Sequence, residues 1–335
     1  MRLPFDMRGS ICQQGDNLLR LSCKARVTVP MLNGPNFFIV GAPKCGTTAV
    51  YTYLSAHPEV FFPAHAKEPH YYNEDMPGFR WFTDRSDYLA LFESENASVA
   101  AVRGEASVQY LYSKASAAKI ARDNPHARIL ICLRKPVHFI RSYHNQMLNN
   151  LDEDIPDLAQ AWQRSGEVRA VARETSMLNY KAIGLFAQQI DRYRAVFPDT
   201  QIRLLELEEF VANPRGHYLA LLFWLQLEDD GRVDFPPVHT AKTQRSRAIA
   251  RFLKSPPPFI RRSVQALKRL AGVKSFGLAQ KVQNLNAAQS YGTVELDAKL
   301  VRQIEDHYAP DQRALARHAD LVLRPQATTG EVPRY

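Results

Sequence analysis

Four short stretches of this chain carry side chains able to do chemistry. Gly41-Ala-Pro-Lys44-Cys45-Gly46-Thr47-Thr48 is a glycine-bearing loop that runs into helical spacing at Val50, Tyr53 and Leu54. Backbone N–H groups at such a strand-to-helix turn cradle an anion. Lys44 adds a mobile positive charge, and Thr47 and Thr48 add hydroxyl donors. Lys67-Glu68-Pro69-His70-Tyr71-Tyr72 offers a carboxylate and an imidazole, either of which can take a proton from a reacting hydroxyl or amine. Gly104-Glu105-Ala106-Ser107 brings a second carboxylate. Arg134, followed eight positions later by Ser142, suits a bidentate contact to a phosphate with a hydroxyl to support it. Two anion sites about ninety residues apart suit one ligand with two anionic groups.

The elements that must position these groups read as two strand–turn–helix units. Phe37 to Val40 is an apolar run suited to a buried parallel strand, with a helix from Ala49. Ala127 to Leu133 is a second such strand. Its exit, Arg134-Lys135-Pro136, leads into a helix that begins at Pro136, a residue at home in a first turn, and continues to Leu148. Both units deliver polar groups at strand exits, where α/β sheets bind ligands. Elsewhere the spacing predicts helices over Ser86–Ser94, Lys114–Arg122, Asp152–Arg173 (with Trp162 as apolar anchor) and Met177–Phe197. Further helical stretches are read over Glu206–Leu227, Val294–Tyr308 and Asp311–Ala319, and strands over Ala97–Val102 and Gln201–Leu205. The expected fold class is α/β: a P-loop-like, three-layer fold with a central, mostly parallel sheet flanked by helices, plus a C-terminal helical annex. Residues 1–35 read as a poorly ordered lead-in, 36–320 as one domain containing a basic helical segment at 245–285, and 321–335 as a tail.

Length and composition bound the rest. At 335 residues and 45% hydrophobic, the chain can bury one large core. The formal net charge of +9 favours anionic ligands without choosing among them. Cys12, Cys23, Cys45 and Cys132 lack metal-type spacing and read as unpaired thiols of a reducing compartment. No apolar stretch is long enough to span a bilayer, and residues 1–35 lack the pattern of a secretion signal, so a cytoplasmic location is expected. Between 251 and 281, Phe252, Leu253, Phe259, Ile260, Val264, Leu267 and Leu270 interleave with Arg and Lys. Such a segment either packs its apolar side on the domain or makes a peripheral contact with an anionic membrane.

The loop departs from the nucleoside-triphosphatase pattern, Gly-x4-Gly-Lys-Ser/Thr, because Lys44 precedes the second glycine. In that order it resembles the 5′-phosphosulfate loop of sulfotransferases that use 3′-phosphoadenosine 5′-phosphosulfate (PAPS). Arg134-Lys-Pro through Ser142-Tyr143 is similar to that family's 3′-phosphate motif, with Lys135 in place of the usual acidic or amide residue. The resemblance assigns Pro43, Lys44, Cys45, Gly46, Thr47, Thr48, Arg134 and Ser142 to the donor. Glu68 with Tyr71-Tyr72 resembles the Glu-x-x-Phe-Phe segment of heparan sulfate sulfotransferases, which makes Glu68 the general base and His70 the second candidate. Gly104-Glu105-Ala106-Ser107 with Tyr110 resembles Gly-Glu-x-Ser-Pro-x-Tyr of the heparan-type and bacterial branch, with Val108 where proline is common.

By the same resemblance Glu105 positions the acceptor or Lys44, by support from behind rather than by direct contact, and Tyr180 lines the cleft; Lys67 reads either as a cation for an acidic acceptor or as an exposed lysine before a turn. The likeness covers about residues 36–230 by motif and 293–320 more weakly. It lacks the late Arg-Lys-Gly tripeptide and the cysteine-framed loop, leaving Lys274, Lys281 and Tyr291 as candidates for late donor contacts. The implied activity is sulfuryl transfer from PAPS to a hydroxyl or amine of a small-molecule or glycan acceptor, with no metal and no nucleic acid partner. Two other readings compete: a P-loop small-molecule kinase, which needs Gly-Lys-Ser/Thr and a magnesium-holding Asp, and a non-catalytic binder of acidic polymers.

Overall fold

In the computed structural model, residues 34–64, 66–238, 242–244, 287–289 and 296–326 are described. Phe37–Gly41 forms β1, and all five of its residues are buried. A strand without polar alternation is what a sheet covered on both faces requires. β1 lies at the centre of a five-stranded sheet of order β2-β3-β1-β4-β5, where β2 is Val60–Phe61, β3 Val102–Ala106, β4 Arg128–Leu133 and β5 Ile202–Glu206. Every pairing in that sheet is parallel. The chain fills one side of β1 with β2 and β3, then crosses to β4 and β5 on the other. The crevice at the carboxyl end of β1 is therefore the topological switch point, where open α/β sheets hold ligands.

Eleven α-helices lie among the described residues. They are α1 (Thr47–Leu54), α2 (Arg85–Leu89), α3 (Glu95–Val99), α4 (Ser116–Asp123), α5 (Pro136–Asn149), α6 (Leu158–Gln163), α7 (Tyr180–Ile183), α8 (Phe186–Arg194), α9 (Leu207–Ala212), α10 (Pro214–Leu225) and α11 (Ala298–Leu315). The flanked parallel sheet and the C-terminal helical region match the fold class read from the sequence. Two further short strands, β6 (Lys242–Gln244) and β7 (Ala287–Gln289), pair antiparallel, and β6 runs beside α5. The basic stretch at 251–281, Cys12, Cys23, Lys274, Lys281 and Tyr291 lie outside the described residues.

Several boundaries differ from the sequence reading, each for a local reason. Residues 97–102 are not a strand. Ser94 caps α3 by accepting the Ala97 N–H (3.2 Å), and the strand begins only at Val102, where Val60 of β2 offers a partner. Glu105 consequently lies within β3. Asp152–Arg173 is helical only over α6, because its charged residues serve tertiary ion pairs. Arg169 clamps the buried Glu153 through both carboxylate oxygens and also reaches Asp154 at 2.8 Å.

The expected long helix over 177–197 breaks at Gly184. A Cβ there would lie 2.6 Å from the Tyr308 ring, and Asp311 caps the restarted helix by accepting the Ala187 N–H at 3.1 Å. The 206–227 region divides at Asn213-Pro214, where the Asn213 side chain caps α10. The two closing helices are one. α11 runs through Pro310, its packing on α5 and α8 outweighing one missing ladder bond.

One glycine shapes the end of β1. Gly41 has φ 142°, and a Cβ on it would sit 2.5 Å from the Val108 carbonyl oxygen. Gly41→Ala should cost about 2–4 kcal/mol, the sum of backbone strain and a backbone clash. Denaturant unfolding checks this, and a loss under about 0.5 kcal/mol would contradict the packing described.

Candidate active site

Beyond Gly41 the chain turns sharply into α1. The Ala42 N–H donates to the Cys132 carbonyl at 2.7 Å, tying the loop to β4. Lys44 and Gly46 both have positive φ, 65° and 82°. For lysine that conformation is strained, and strain persists where the surroundings over-determine it. Gly46 is the N-cap of α1, and neither a side-chain cap nor an acidic residue occupies its first turn. The positive end of α1 thus faces the loop without a counter-charge of its own. Cys45 turns its thiol inward toward the Pro43 carbonyl, and burial pushes that thiol well above its ordinary pKa. Cys45, Pro43 and the buried Thr47 shape the loop, while Lys44 and Thr48 present their side chains.

Lys44 Nζ donates to Gln146 Oε1 on α5 at 3.1 Å. Burial, reinforced by the charge of Arg134, lowers the Lys44 pKa. Arg134, at the exit of β4, donates from Nη1 to the Lys44 carbonyl at 3.2 Å, and its Nε faces Glu208 at 3.7 Å. Glu208, in the first turn of α9, also accepts from the backbone N–H of Lys135 and pairs with His138. The two predicted anion pockets therefore adjoin through the backbone of Lys44. Ser142 is half-buried on α5 and Gln146 follows four residues later, on the same helix face.

The 67–72 segment closes the other side. Lys67 Nζ donates to Thr48 Oγ1 at 2.7 Å and lies 3.9 Å from the Glu68 carboxylate. Glu68 Oε2 is 3.6 Å from His70 Nε2. Burial alone would push the Glu68 carboxyl up, but His70, Lys67 and Lys44 together bring it below its ordinary value. Glu68 is therefore a carboxylate at neutral pH. Burial lowers Lys67, with Glu68 opposing.

Glu68 and His70 both adopt positive φ, 62° and 53°. What holds them lies behind: Ser107 Oγ accepts the His70 N–H at 3.0 Å, and the Tyr110 hydroxyl accepts the Tyr72 N–H at 3.2 Å. Glu105 anchors this support, accepting from the Tyr88 hydroxyl at 2.7 Å and the Tyr110 hydroxyl at 3.0 Å. Tyr71 stacks on Tyr88 with centroids 4.3 Å apart.

Two of the expected site residues lie behind the groove rather than in it. Glu105 is fully buried and gives no surface to an acceptor; it braces the segment that carries Glu68 and His70. Tyr180 is also buried completely. Its hydroxyl donates to Glu153 at 2.9 Å and bonds His144 at 3.0 Å, so its place is the core rather than a cleft wall.

Sequence reasoning gave no site role to Gln146, Glu208 or Tyr88, and it named Ser107 and Tyr110 only as members of the Gly104–Tyr110 motif. Gln146 carried a signal, one helical turn beyond Ser142. Glu208 follows a third strand exit and was legible in principle. The partnership of Tyr88 with Glu105 spans two elements and left no local trace. Among the described residues no group of three or more His, Cys, Asp or Glu side chains gathers to hold a metal ion.

A parallel sheet whose central strand opens into a lysine-bearing loop, with an arginine from the next strand on its carbonyl, gathers positive charge at the switch point. The chain belongs to the sulfotransferase family: the profile described as "Sulfotransferase domain" matches residues 34–234, more than half of it. It is 26% identical to human carbohydrate sulfotransferase 15 over 53% of this chain and 41% of that protein. It is 24% identical to mouse heparan sulfate glucosamine 3-O-sulfotransferase 3B1 over 54% of this chain and 43% of that protein. The chain thus spans about two fifths of the length of these relatives. Among solved structures it is similar to a sulfotransferase from Alicyclobacillus acidocaldarius, with TM-score 0.54 and 26% identity, covering 73% of this chain and 98% of that one.

Burial raises the Glu105 pKa above its ordinary 4.5. The folded state therefore holds that proton more tightly than the unfolded state. Stability is lost as pH rises from about 4.5 through the raised value. Glu105→Gln escapes this penalty, so its melting temperature relative to the parent should move in its favour over that interval. A difference that stays flat with pH would show that Glu105 is not the buried titrating group.

Proposed function

We propose that this protein transfers a sulfuryl group from PAPS to a hydroxyl or amine of a carbohydrate acceptor. One observation carries the reading: the Arg134 guanidinium on the Lys44 carbonyl joins two anion pockets into one groove, with the ionised Glu68 at its rim. The residues fit the donor. Arg134 Nε is buried without a hydrogen-bond partner, and a Cβ at Gly46 would lie 2.6 Å from Leu207, so the loop keeps its shape only with glycine there.

PAPS supplies an activated sulfuryl group on a phosphate leaving group. Arg134 and Ser142 bind the 3′-phosphate; Lys44, Thr48 and the first amides of α1 bind the 5′-phosphate end. Lys44 offsets the negative charge that gathers on the bridging oxygen as the sulfur–oxygen bond breaks. Glu68 takes the proton from the acceptor as its oxygen or nitrogen bonds to sulfur, with His70 and Lys67 holding the carboxylate ionised and in place. The carbohydrate assignment draws on the acceptors named for the two animal relatives, and Lys67 supplies a cation for an acidic one.

Calorimetry with 3′-phosphoadenosine 5′-phosphate, adenosine 5′-phosphate and ATP tests the donor. Binding should require the 3′-phosphate and weaken about 10–100-fold in Arg134→Ala. ATP binding as tightly, with no dependence on the 3′-phosphate, would instead support a kinase. Lys44→Ala should lower kcat by about 10²–10³, and near-normal turnover would refute its role. The pH–rate profile should be level through neutrality. Its acid limb should lie below 4.5, from Glu68, and its alkaline limb below 10.5, from Lys44. An acid limb above 4.5 that persists in Glu68→Gln would exclude Glu68 as the base.

A further inference from the structure

The geometry points to Trp81 as a stacking platform for a sugar ring of the acceptor, next to the residue that takes its proton. The chain has three tryptophans. Trp162 is 4% exposed and packs against His307 and Tyr308; Trp224 packs against Phe37 and lies beneath the Arg203 guanidinium. Trp81 is 72% exposed and has no ring or cation partner among the described residues. An indole left in water forfeits the burial that its size would repay.

This exposure occurs on a loop that is tied down. The Phe82 N–H donates to the Pro69 carbonyl at 3.4 Å, and Arg80 Nε donates to the Tyr71 carbonyl at 3.1 Å. Arg80 also lies over the Tyr71 ring, with 5.6 Å to its centroid. The residues on either side of Trp81 are thus fastened to the carbonyls on either side of His70. Three residues before Trp81, Gly78 is pressed against the Arg173 carbonyl, where a Cβ would come within 2.3 Å. The backbone at Trp81 therefore keeps a set position beside the Glu68–His70 turn.

A carbohydrate suits such a surface. The C–H face of a pyranose is apolar and weakly positive and complements the negative face of an indole, while its hydroxyls stay in water. An acceptor that offers one hydroxyl to Glu68 lays a neighbouring ring across Trp81. Lys67, 3.9 Å from the Glu68 carboxylate, suits an acidic chain.

This inference rests on Glu68 marking the acceptor side of the groove, and its test separates the two ideas. Intrinsic fluorescence of the parent and of Trp81→Phe is titrated, without donor, with heparan sulfate, chondroitin sulfate and neutral dextran oligosaccharides. At least one should quench or blue-shift the parent saturably, and the change should vanish in Trp81→Phe. Once an acceptor is in hand, Trp81→Ala should raise its KM about tenfold, with Trp81→Phe recovering most of the loss and affinity for 3′-phosphoadenosine 5′-phosphate unmoved. Parent emission unmoved by all three sugars, or moved equally in Trp81→Phe, overturns the platform. If Trp81 responds but no 3′-phosphate-dependent nucleotide binding is found, the platform stands and the donor reading falls.

Discussion

The hydrogen bond from Arg134 to the carbonyl of Lys44 is the contact on which the arrangement of the site depends. It links the exits of two adjacent strands, so that the loop after β1 and the turn after β4 become one surface. It also sets two cations close together, and that is affordable only because each has a partner. Lys44 leans on the neutral amide of Gln146, and Arg134 faces Glu208. Removed from water, such charges interact more strongly than they would in solvent, which suits the doubly anionic donor proposed for them.

The opposite side of the groove works by strain and support. Glu68 and His70 stand in a backbone conformation that non-glycine residues seldom adopt, at a cost on the order of 1–3 kcal/mol each. The offsetting contacts come from β3 and the residues just after it: Ser107 and Tyr110 take backbone N–H groups, and Glu105 organises the tyrosines around it. A buried carboxylate is expensive unless it is hydrogen-bonded, and here its tyrosine donors brace the carboxylate that faces the groove. One acidic residue is made inaccessible so that another can be held in place.

The C-terminal part of the chain acts at a distance. α11 contributes Asp311 to cap α8 and Tyr308 to fill the gap at Gly184, and it packs on α5, the helix that carries Ser142 and Gln146. The rear of the helix layer is thereby fixed, and the face of α5 toward the loop inherits that rigidity. The Arg169–Glu153 clamp does the same for the irregular segment beyond α5.

Much of this was legible from local chemistry. Gly41 through Thr48 and Arg134 through Ser142 identify their own strand exits, because a buried parallel strand is a short apolar run and its turn must shed side chains. Glu68 and His70 stand out only through the likeness of their segment to Glu-x-x-Phe-Phe, and the fold brings them beside the loop through Lys67 and Thr48. Residue spacing could not reveal which polar groups end inside. Glu105 and Tyr180 look like site residues by motif, yet β3 and the α5–α6 interior enclose them, and only the folded chain shows that their partners are Tyr88, Tyr110, Glu153 and His144. Periodicity likewise joined 177–197 into one helix, because the ring of Tyr308 arrives from 128 residues away, measured from its bond to Tyr180. Sequence determines what depends on a residue and its near neighbours: strand, turn, cap and charge. Tertiary structure decides what depends on distant segments meeting, namely which carboxylate is enclosed, which faces the loop, and which cations lie together.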